Sequence, residues 1–392
     1  MNNISLINRV KYNKHIYTLY FYIGSYGIRF LKLFVNSDPR MIVFTSFGGR
    51  KYDDSPKAIY EAMIHDSRYD GYNLVWAFMH PEDFNIPRGG KVKIDTVAYY
   101  KILLRARIWV TNSSMTRGLK FSGKNTFQLN TWHGSAIKRI GSDINSGSTS
   151  FRIKGRSKIN GVMLAQSDYD VKVYSRAFNM STEDFKVIGL PRNDELVNTT
   201  KKKQDELKMA LGIPKSKKVI LYAPTFREYV KDENFNCVIA PPIDLKKWKS
   251  ILGKSYIFLF RAHYEVVKVM NIQEDDFVRN VSSYPELNEL MIISDILISD
   301  YSSIFFDYSV MHKPMICFAY DYDEYAQKRG VYFDIRKWLP YASNENDLLK
   351  LICDTDDTKI NEVVKRFQQE FVSEYGRATE RSLDLIYEGI NG

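Results

Sequence analysis

The sequence has few cysteines and no long apolar segment. Its 392 residues include three scattered cysteines, Cys237, Cys317 and Cys353, with no CxxC pair and no histidine at metal-ligand spacing. We therefore expect neither a disulfide framework nor a structural zinc site, and we expect a reducing cytoplasm. Between Lys14 and Arg29 the uncharged run is 14 residues, whereas roughly 18 to 20 apolar residues are needed to span a bilayer. We therefore expect neither a transmembrane helix nor a cleaved signal peptide.

The rest of the composition is that of a folded protein with a basic bias. Hydrophobic residues make up 44%, aromatic residues 14% and charged residues 26%, which excludes a disordered or collagen-like chain. At about 150 residues per domain, the length predicts two or three domains. The formal net charge of +10 is compatible with nucleic acid, an anionic membrane or a phosphorylated substrate. Because RNP-type, helix-turn-helix and zinc patterns are absent, we do not expect nucleic acid as a partner.

Residues 1–37 carry half of the charge excess. They contain five basic residues and no acidic residue. On a helical plot an apolar and aromatic stripe, Ile16, Tyr20, Ile23, Tyr26, Phe30 and Phe34, lies opposite the basic residues Lys11, Lys14, Arg29 and Lys32. This amphipathic pattern is typical of a helix in a membrane interface. It fits equally well a helix that packs on the protein's own core and exposes a basic face, and Gly24 and Gly27 weaken the expectation that the helix is continuous.

From residue 38 onward, short β-branched or aromatic runs alternate with helical stretches, which indicates parallel βαβ units. In the first half the predicted strands are Met41–Ser46, Tyr72–Ala77, Ile108–Thr111, Thr126–Leu129 and Val162–Ala165, with a helix entered through Ser55 as its N-cap. After a lysine-rich connection, the predicted strands are Val219–Tyr222, Tyr256–Phe260, Ile296–Ser299 and Met315–Phe318. We therefore predict an α/β fold with domains at residues 38–200 and 201–375, facing a ligand-binding cleft.

A histidine follows the strand predicted at Thr126–Leu129. His133 and Gly134 come shortly after this strand, and the segment continues to Lys138. A histidine at a strand end, followed by a glycine that allows close backbone approach and by a cation, suits proton transfer beside an anion. For the His-Gly pair alone, a packed or capping histidine is the alternative interpretation.

Small hydroxyl residues follow the strand predicted at Ile296–Ser299. Ser302 and Ser303 precede or begin a predicted helix that contains Asp307. Backbone N–H groups and the positive end of the helix would point into the cleft and suit a phosphate or pyrophosphate. An ordinary helix N-cap is the alternative.

Two arginines each follow a strand of the second series. Arg261 and His263 follow the strand Tyr256–Phe260, whereas Thr225 and Arg227 follow the strand before it. Because guanidinium groups bind phosphate as a fork, both arginines are candidates for a shared phosphate. Each of them alone fits a surface ion pair as well.

Together with Gly189–Asp194 and Lys313–Gly330, these clusters resemble the CDP-glycerol glycerophosphotransferase family of teichoic-acid and capsule synthesis, from about Met41 to Arg377. The resemblance implies a GT-B fold, in which two Rossmann-like domains face a cleft and a C-terminal helix, here residues 376–392, crosses back to the first domain. It also implies transfer of a polyol phosphate from CDP-glycerol or CDP-ribitol to a hydroxyl of a membrane-linked acceptor, with release of CMP.

The resemblance further implies roles for single residues. His133 matches the base of the His-Gly motif, with Gly134 and Lys138 on the acceptor or phosphate side. The implied donor side comprises Arg261 and His263 of the Arg-x-His motif, the paired serines Ser302 and Ser303, and Thr225, Arg227 and Asp307. Of these, His263 is grouped with His133 as catalytic, and Asp307 is assigned to the ribose hydroxyls. Ser135-Ala136 stands where the family often has Thr-Pro, which leaves the acceptor's identity open, and Tyr264 stands where it often has Pro.

No metal and no cofactor are required by this interpretation. Two segments have the spacing of a metal-binding DxD motif, Asp168-Tyr-Asp170 and Asp321-Tyr-Asp323. Acidic residues are favoured at a helix start in any case, such as the one after Ser167. The expected partners are the CDP-polyol, a polyprenyl-pyrophosphate-linked saccharide acceptor and an anionic membrane surface, with the enzyme peripheral on the cytoplasmic face of the cell membrane. The chain length favours a primase or short-repeat transferase. A nucleotide-sugar glycosyltransferase of the same fold and a non-catalytic membrane scaffold are the alternatives, and the sequence leaves oligomeric state and polyol open.

Overall fold

The computed structural model describes residues 13–144, 160–225, 227, 240–262, 266, 270, 272–354 and 357–391. Two parallel α/β units follow each other along the chain. The strands of the first unit are β1 Asp38–Thr45, β2 Asn73–Phe78, β3 Gly90–Lys93, β4 Ala106–Thr111, β5 Phe127–Asn130, β6 Asn160–Ala165 and β7 Phe185–Val187. Those of the second unit are β8 Lys218–Tyr222, β9 Tyr256–Phe260, β10 Val278–Asn280, β11 Ile296–Ser299, β12 Met315–Phe318 and β13 Tyr341–Ala342.

The helices lie between these strands and at both ends of the described chain. In the first half they are α1 Lys14–Lys32, α2 Asp54–Met63, α3 Val97–Arg105, α4 Asp168–Phe178, α5 Asp194–Val197 and α6 Lys201–Ala210. In the second half they are α7 Leu245–Leu252, α8 Leu287–Ile293, α9 Ile304–Ser309, α10 Tyr322–Arg329, α11 Glu345–Cys353, α12 Asp357–Phe371 and α13 Ala378–Asn391. Among the described residues, no helix is long and apolar enough to cross a membrane.

Both sheets are parallel and covered on both faces. The strand order is β3-β2-β1-β4-β5-β6-β7 in the first sheet and β10-β9-β8-β11-β12-β13 in the second. Ile42 and Phe44 belong to the hydrophobic cluster on one face of the first sheet, whereas Val43 belongs to the cluster on the other face. In β8 of the second sheet, Leu221 and Tyr222 likewise enter different clusters. Alternate side chains are thus buried on both faces, which explains the continuous apolar runs in the sequence.

The structure differs from the sequence prediction mainly at the sheet edges and helix starts. The short strands β3, β7, β10 and β13 were not expected, and they lie at the four edges of the two sheets. An edge strand is only partly buried, so it needs no long apolar run. Helix α2 begins at Asp54 rather than after Ser55, because the side chain of Asp53 caps it by accepting a hydrogen bond from the Asp54 N–H.

Helix α1 packs on the first unit with one face and exposes another apolar face. Phe21, Ser25 and Ile28 are buried, and the half-buried Tyr20 donates its hydroxyl proton to the Arg117 carbonyl at 3.0 Å. The helix runs through both glycines, and a Cβ on Gly24 would lie 2.8 Å from the side chain of Leu119. The outward apolar side chains are Ile16, Leu19, Tyr22, Ile23, Tyr26, Phe30, Leu33 and Phe34. Tyr20 of the predicted stripe therefore faces the protein, while the other members face outward; Lys11 lies outside the described residues.

The two units are joined by several contacts besides the connecting chain. Helix α13 packs on α2 and on strands β4 and β5 of the first sheet. Arg139 N–H donates to the Gly330 carbonyl at 3.0 Å, and Tyr332 N–H donates to the Ile137 carbonyl at 2.7 Å. Glu374 N–H donates to the Gln166 carbonyl at 3.0 Å. These bonds fix one unit against the other and hold the walls of the cleft between them.

Candidate active site

A cavity of about 820 Å³ lies between the two units, near the carboxyl ends of their central strands. Five of the residues that the sequence singled out line it: His133, Arg261, Ser302, Ser303 and Asp307. Thr225, Arg227 and Lys138 are not among the described residues that line it. His263 and Tyr264 lie outside the described residues. The tertiary structure therefore brings together His133, Arg261, Ser302 and Ser303, which are far apart in the sequence.

His133 lies on the wall formed by the first unit. Its Nδ1 is 2.9 Å from the Asn112 carbonyl oxygen, and its ring stacks on Trp132 at 4.0 Å between centroids. A carbonyl can only accept a hydrogen bond, so Nδ1 carries the proton and Nε2 of the neutral ring is left as the acceptor. Burial lowers the pKa of His133 below its ordinary 6.5. The imidazole is therefore neutral near pH 7 and suited to take a proton.

Asn112 positions His133, and the sequence reasoning missed it. It follows β4, and its side-chain oxygen accepts a hydrogen bond from the Phe47 N–H at 2.7 Å. Its amide also donates to Ser46 Oγ at 3.2 Å, and that hydroxyl donates to the Asp53 carbonyl at 2.8 Å. Asn112 thus connects the loop after β1 to the histidine. The signal available in the sequence was a polar Thr-Asn-Ser group at the end of a buried strand.

Gly134 lies close to Ser303 of the second unit. Its φ is +125°, a conformation that favours glycine. A Cβ at this position would lie 2.9 Å from Arg192 Nη2 and 3.1 Å from Ser303 Oγ. A larger residue would push the His133 loop away from the second unit. Contacts within the protein therefore require a glycine at this position, in addition to any approach of a ligand.

Asp307 has partners that the sequence did not indicate. It was expected to receive ribose hydroxyls, but both of its carboxylate oxygens accept hydrogen bonds from Arg192 Nη2, at 2.9 and 2.8 Å. Asn193 Nδ2 donates to the same carboxylate at 3.0 Å. With only 7% of its side chain exposed, Asp307 lies at the edge of the cavity and is engaged by protein groups. Arg192 and Asn193 occur in the Gly-Leu-Pro-Arg-Asn-Asp segment, whose role the sequence reasoning left open.

Arg261 lies on the wall formed by the second unit. Its Nη1 donates to the carbonyls of Val281 and Tyr284 at 3.1 and 2.6 Å. Burial lowers the pKa of this guanidinium, and the opposing carboxylate of Asp53 raises it. No hydrogen bond from Nε or Nη2 to a described residue is found. Arg261 thus keeps donors for a ligand while one nitrogen holds the loop that follows β10.

The two serines lie opposite the His133 loop. Ser302 Oγ accepts a hydrogen bond from the Ile304 N–H at 3.3 Å, whereas Ser303 is the N-cap residue of α9 and makes no side-chain capping bond. Helix α9 ends at Ser309. Both serines line the cavity together with His133.

Arg227 is buried, in contrast to the donor-binding role expected for it. Its guanidinium lies 2.9 Å from Asp300 and 2.6 Å from Asp321, with 1% of the side chain exposed. The rings of three tyrosines lie within 5.0 to 5.3 Å of it, Tyr301, Tyr320 and Tyr325. Arg227 Nη1 also donates to the Thr225 carbonyl at 2.6 Å. Arg227 and Thr225 therefore connect the loop after β8 to the loop after β11 and do not contact the cavity.

Lys138 does not line the cavity. It lies between Ile137 and Arg139, whose backbone groups bond to the second unit. Its backbone forms an isolated antiparallel bridge with Val331. Its charge lowers the pKa of His133, as does that of Arg192. The residue expected on the acceptor or phosphate side thus acts on the cavity through its charge at a distance. Among the described residues, no group of three or more His, Cys, Asp or Glu side chains is arranged to hold a metal ion.

Comparisons with known proteins agree with this architecture. The model of the family described as CDP-Glycerol:Poly(glycerophosphate) glycerophosphotransferase matches residues 28–388. A teichoic acid poly(glycerol phosphate) polymerase of Staphylococcus epidermidis is 34% identical over 375 residues, covering 91% of this chain but 51% of the relative. A teichoic acid glycerol-phosphate transferase of Staphylococcus aureus is 32% identical over 370 residues, covering 88% of this chain and 92% of the relative.

Solved structures of the wall teichoic acid polymerase TagF have the same fold as this chain. One superimposes with a TM-score of 0.80 at 33% identity, covering 91% of this chain and 90% of that chain. A variant of TagF soaked with CDPG also gives a TM-score of 0.80, at 31% identity and with 93% of each chain covered. The GT-B type arrangement expected from the sequence is confirmed.

Proposed function

Because the chain belongs to the CDP-glycerol:poly(glycerophosphate) glycerophosphotransferase family, we propose that it transfers glycerol phosphate from CDP-glycerol to an acceptor hydroxyl and releases CMP. The family and transferase class expected from the sequence are confirmed by the match over residues 28–388 and by the similarity to teichoic acid transferases. CDP-glycerol as the donor is supported by the TagF variant soaked with CDPG.

The observation that carries this proposal is the orientation of His133. The Asn112 carbonyl holds Nδ1, so Nε2 accepts the proton of the acceptor hydroxyl. The hydroxyl oxygen then forms a bond to the phosphorus bearing the glycerol, and the bond from that phosphorus to the bridging oxygen breaks. CMP leaves with the electron pair. Arg261, Ser302 and Ser303 lie where they would hold the diphosphate in line and stabilise the charge on the leaving group.

The reaction as proposed uses protein groups for charge stabilisation and needs no metal ion or cofactor. Arg261 supplies cationic charge at the cleft, and the cavity-lining Lys51 and Lys57 lie beside the carboxylates of Asp53 and Glu286. Lys57 Nζ also donates to Glu286 at 2.9 Å, across the boundary between the units. We expect transfer to continue after chelation of divalent cations.

For the acceptor, we propose a saccharide linked to polyprenyl pyrophosphate, to which one or a few glycerol phosphate units are added. The matched S. aureus relative is a glycerol-phosphate transferase, and 92% of it is covered by this chain. A polymerase is the alternative, since 88% of a teichoic acid poly(glycerol phosphate) polymerase of Bacillus spizizenii is also covered by this chain. CDP-ribitol is the alternative donor, since similar relatives include a ribitol-phosphate primase.

Such an acceptor requires contact with a membrane, and we propose the outward face of α1 as the contact surface. Tyr26 and Phe30 are 63% and 64% exposed, and Lys14 and Arg29 are also exposed. Aromatic side chains flanked by cations are typical of helices that lie in the interface of an anionic bilayer. We infer peripheral attachment to the cytoplasmic face of the membrane.

The catalytic proposal is tested with purified protein and a lipid-linked disaccharide acceptor. CDP-glycerol, CDP-ribitol and UDP-sugars are supplied separately, and nucleotide release and products are followed by mass spectrometry. We expect a mass increase of one or a few glycerol phosphates with CDP-glycerol only. His133→Ala should lower the rate about 10²- to 10⁴-fold while calorimetry shows donor affinity nearly unchanged. Transfer from a UDP-sugar identifies a glycosyltransferase, and no transfer from any donor supports the scaffold alternative.

The membrane proposal is tested by sedimentation with anionic liposomes. The double variant Tyr26→Ser, Phe30→Ser should bind liposomes more weakly and use a long-prenyl acceptor more slowly, because it removes aromatic surface without disturbing buried contacts. Met209→Ser is the matched control, since Met209 is 70% exposed on α6. Both proteins should melt like the wild type, and unchanged liposome binding by the double variant contradicts membrane contact through α1.

A further inference from the structure

A nearly buried ion cluster joins the two units in the wall of the cavity, which Asp54, Arg192 and Asp307 line. Arg192 lies in the turn Pro191–Asn193 of the first unit, and its side chain is 13% exposed. Nη1 donates to Asp54 Oδ2 at 2.8 Å, while Nη2 binds both oxygens of Asp307. Asp54 begins α2 in the first unit, and Asp307 lies on α9 in the second. One guanidinium therefore bridges a carboxylate from each unit.

The cluster reaches the His133 loop by two routes. The first is direct, because Arg192 Nη2 would lie 2.9 Å from a Cβ on Gly134 and thus packs against the residue after His133. The second passes through amide side chains: Asn193 Nδ2 donates to both Asp307 and Gln166 at 3.0 Å. Gln166 Nε2 then donates to Ser135 Oγ at 2.9 Å. The loop that carries His133 therefore contacts, at Gly134 and Ser135, groups that are connected to Asp307.

The main chain of Arg192 is also bonded to the second unit. Asn288 Nδ2, from α8, donates to the Arg192 carbonyl at 2.7 Å. Asp54 has a φ of +67°, which a residue with a side chain rarely adopts. In this conformation its carboxylate accepts a hydrogen bond from Nη1 of Arg192, whereas Asp307 accepts from Nη2. Both the backbone and the side chain of Arg192 are thus fixed across the boundary between the units.

We propose that Arg192 is a positioning residue for the transfer reaction, and that its pairing with Asp307 sets the separation between His133 and the Ser302–Ser303 wall. The proposal rests on the proposed function, because it assigns the base to one unit and the diphosphate to the other. The proton acceptor and the phosphorus must be held within a narrow distance of each other, and a small displacement is costly to the rate. Arg192 acts through Gly134 and Asp307 and needs no contact with the substrate.

The rival interpretation is that Asp307 binds the donor ribose directly, as the resemblance implied. The two interpretations differ in what is lost when the carboxylate is neutralised. A ribose contact is made when CDP-glycerol binds, so its removal lowers donor affinity. A positioning contact does not change the donor site on the second unit, so its removal lowers kcat while donor affinity is kept.

The test compares Asp307→Asn with Asp295→Asn. Asp295 pairs with the buried Lys208 at 3.1 Å within the second unit, and it is not among the residues that line the cavity. Its variant therefore measures the effect of weakening a partly buried ion pair away from the unit boundary. Arg192→Lys is a second variant, which retains the charge but replaces the planar fork that holds two carboxylates with a single ammonium.

We expect Asp307→Asn and Arg192→Lys to lower kcat about 10- to 100-fold, with the calorimetric Kd for CDP-glycerol changed less than about twofold. Asp295→Asn should leave kcat close to the wild-type value, even where it lowers the melting temperature. Equal losses in donor affinity and kcat in Asp307→Asn overturn the proposal in favour of a ribose contact. Wild-type kcat in folded Arg192→Lys also overturns it. If the wild-type enzyme itself releases no CMP, that result contradicts the proposed function and not the role of Arg192.

Discussion

Arg227 and Arg261 follow neighbouring parallel strands, yet the structure gives them opposite environments. Arg227 comes after β8 and is enclosed by Asp300, Asp321 and tyrosine rings. Arg261 comes after β9, lines the cavity and bonds only to backbone carbonyls among the described residues. The two carboxylates raise the pKa of Arg227, whereas burial without a directly bonded carboxylate lowers that of Arg261.

The difference shows what decides the role of a charge at a strand end. The loops after β11 and β12 supply two aspartates at the end of β8, and they neutralise Arg227. The loop after β10 supplies only carbonyl oxygens to Arg261, so its charge remains available in the cavity. We conclude that Arg227 stabilises the loops after β8, β11 and β12, and we propose Arg261 as the arginine that binds the diphosphate.

Arg227→Met is expected to have the largest effect, which is a loss of folding stability. Removing the guanidinium leaves two nearly buried carboxylates without their partner, and breaking such a cluster costs about 3–5 kcal/mol. Denaturant unfolding measures this loss. Arg176→Met removes an ion pair to Asp143 whose arginine is 58% exposed, and this control should change stability by less than about 1 kcal/mol. An Arg227→Met protein as stable as the wild type contradicts the structural role.

Arg261→Met is expected to affect binding more than folding. A hydrogen bond from a charged donor contributes about 1.5–3 kcal/mol, so affinity for CMP and CDP-glycerol should fall about 10- to 100-fold. Calorimetric titration measures both affinities. Ser302→Ala should weaken binding less, because backbone N–H groups remain at that position. If CMP binds to Arg261→Met as tightly as to the wild type, the donor phosphates lie elsewhere.

The smallest expected effect is a shift in the pH profile of kcat/KM. It tests whether the charge of Lys138 changes the pKa of His133 although Lys138 does not line the cavity. In the proposed mechanism the neutral form of His133 is the base, and burial lowers its pKa. The acidic limb of kcat/KM should therefore lie below the ordinary value of 6.5. The charge of Lys138 contributes to this lowering. Lys138→Met should therefore move the limb to higher pH, with little change in the rate at neutral pH. A limb that stays in place shows that Lys138 has no electrostatic effect on the base.

Much of the fold followed from local patterns. The strands β9, β11 and β12 have the predicted bounds, because central parallel strands need continuous apolar runs that are visible in the sequence. The edge strands were missed because their side chains are partly exposed and need no such run. Four motif residues of the site, His133, Arg261, Ser302 and Ser303, were predicted and do line the cavity, since the carboxyl ends of parallel strands meet in one cleft.

The sequence by itself determined the α/β class, the family and the segments that form the cleft, because each depends on residues close together along the chain. Only the tertiary structure decided which charged side chains face the cavity. Arg227 became structural because Asp321, 94 positions later, reaches its guanidinium, and Asp307 was engaged by Arg192 from 115 positions earlier. The energy of a charge depends on its distance from other charges and on its exposure to water. Both are set by packing between segments remote in sequence, so a local pattern does not contain them.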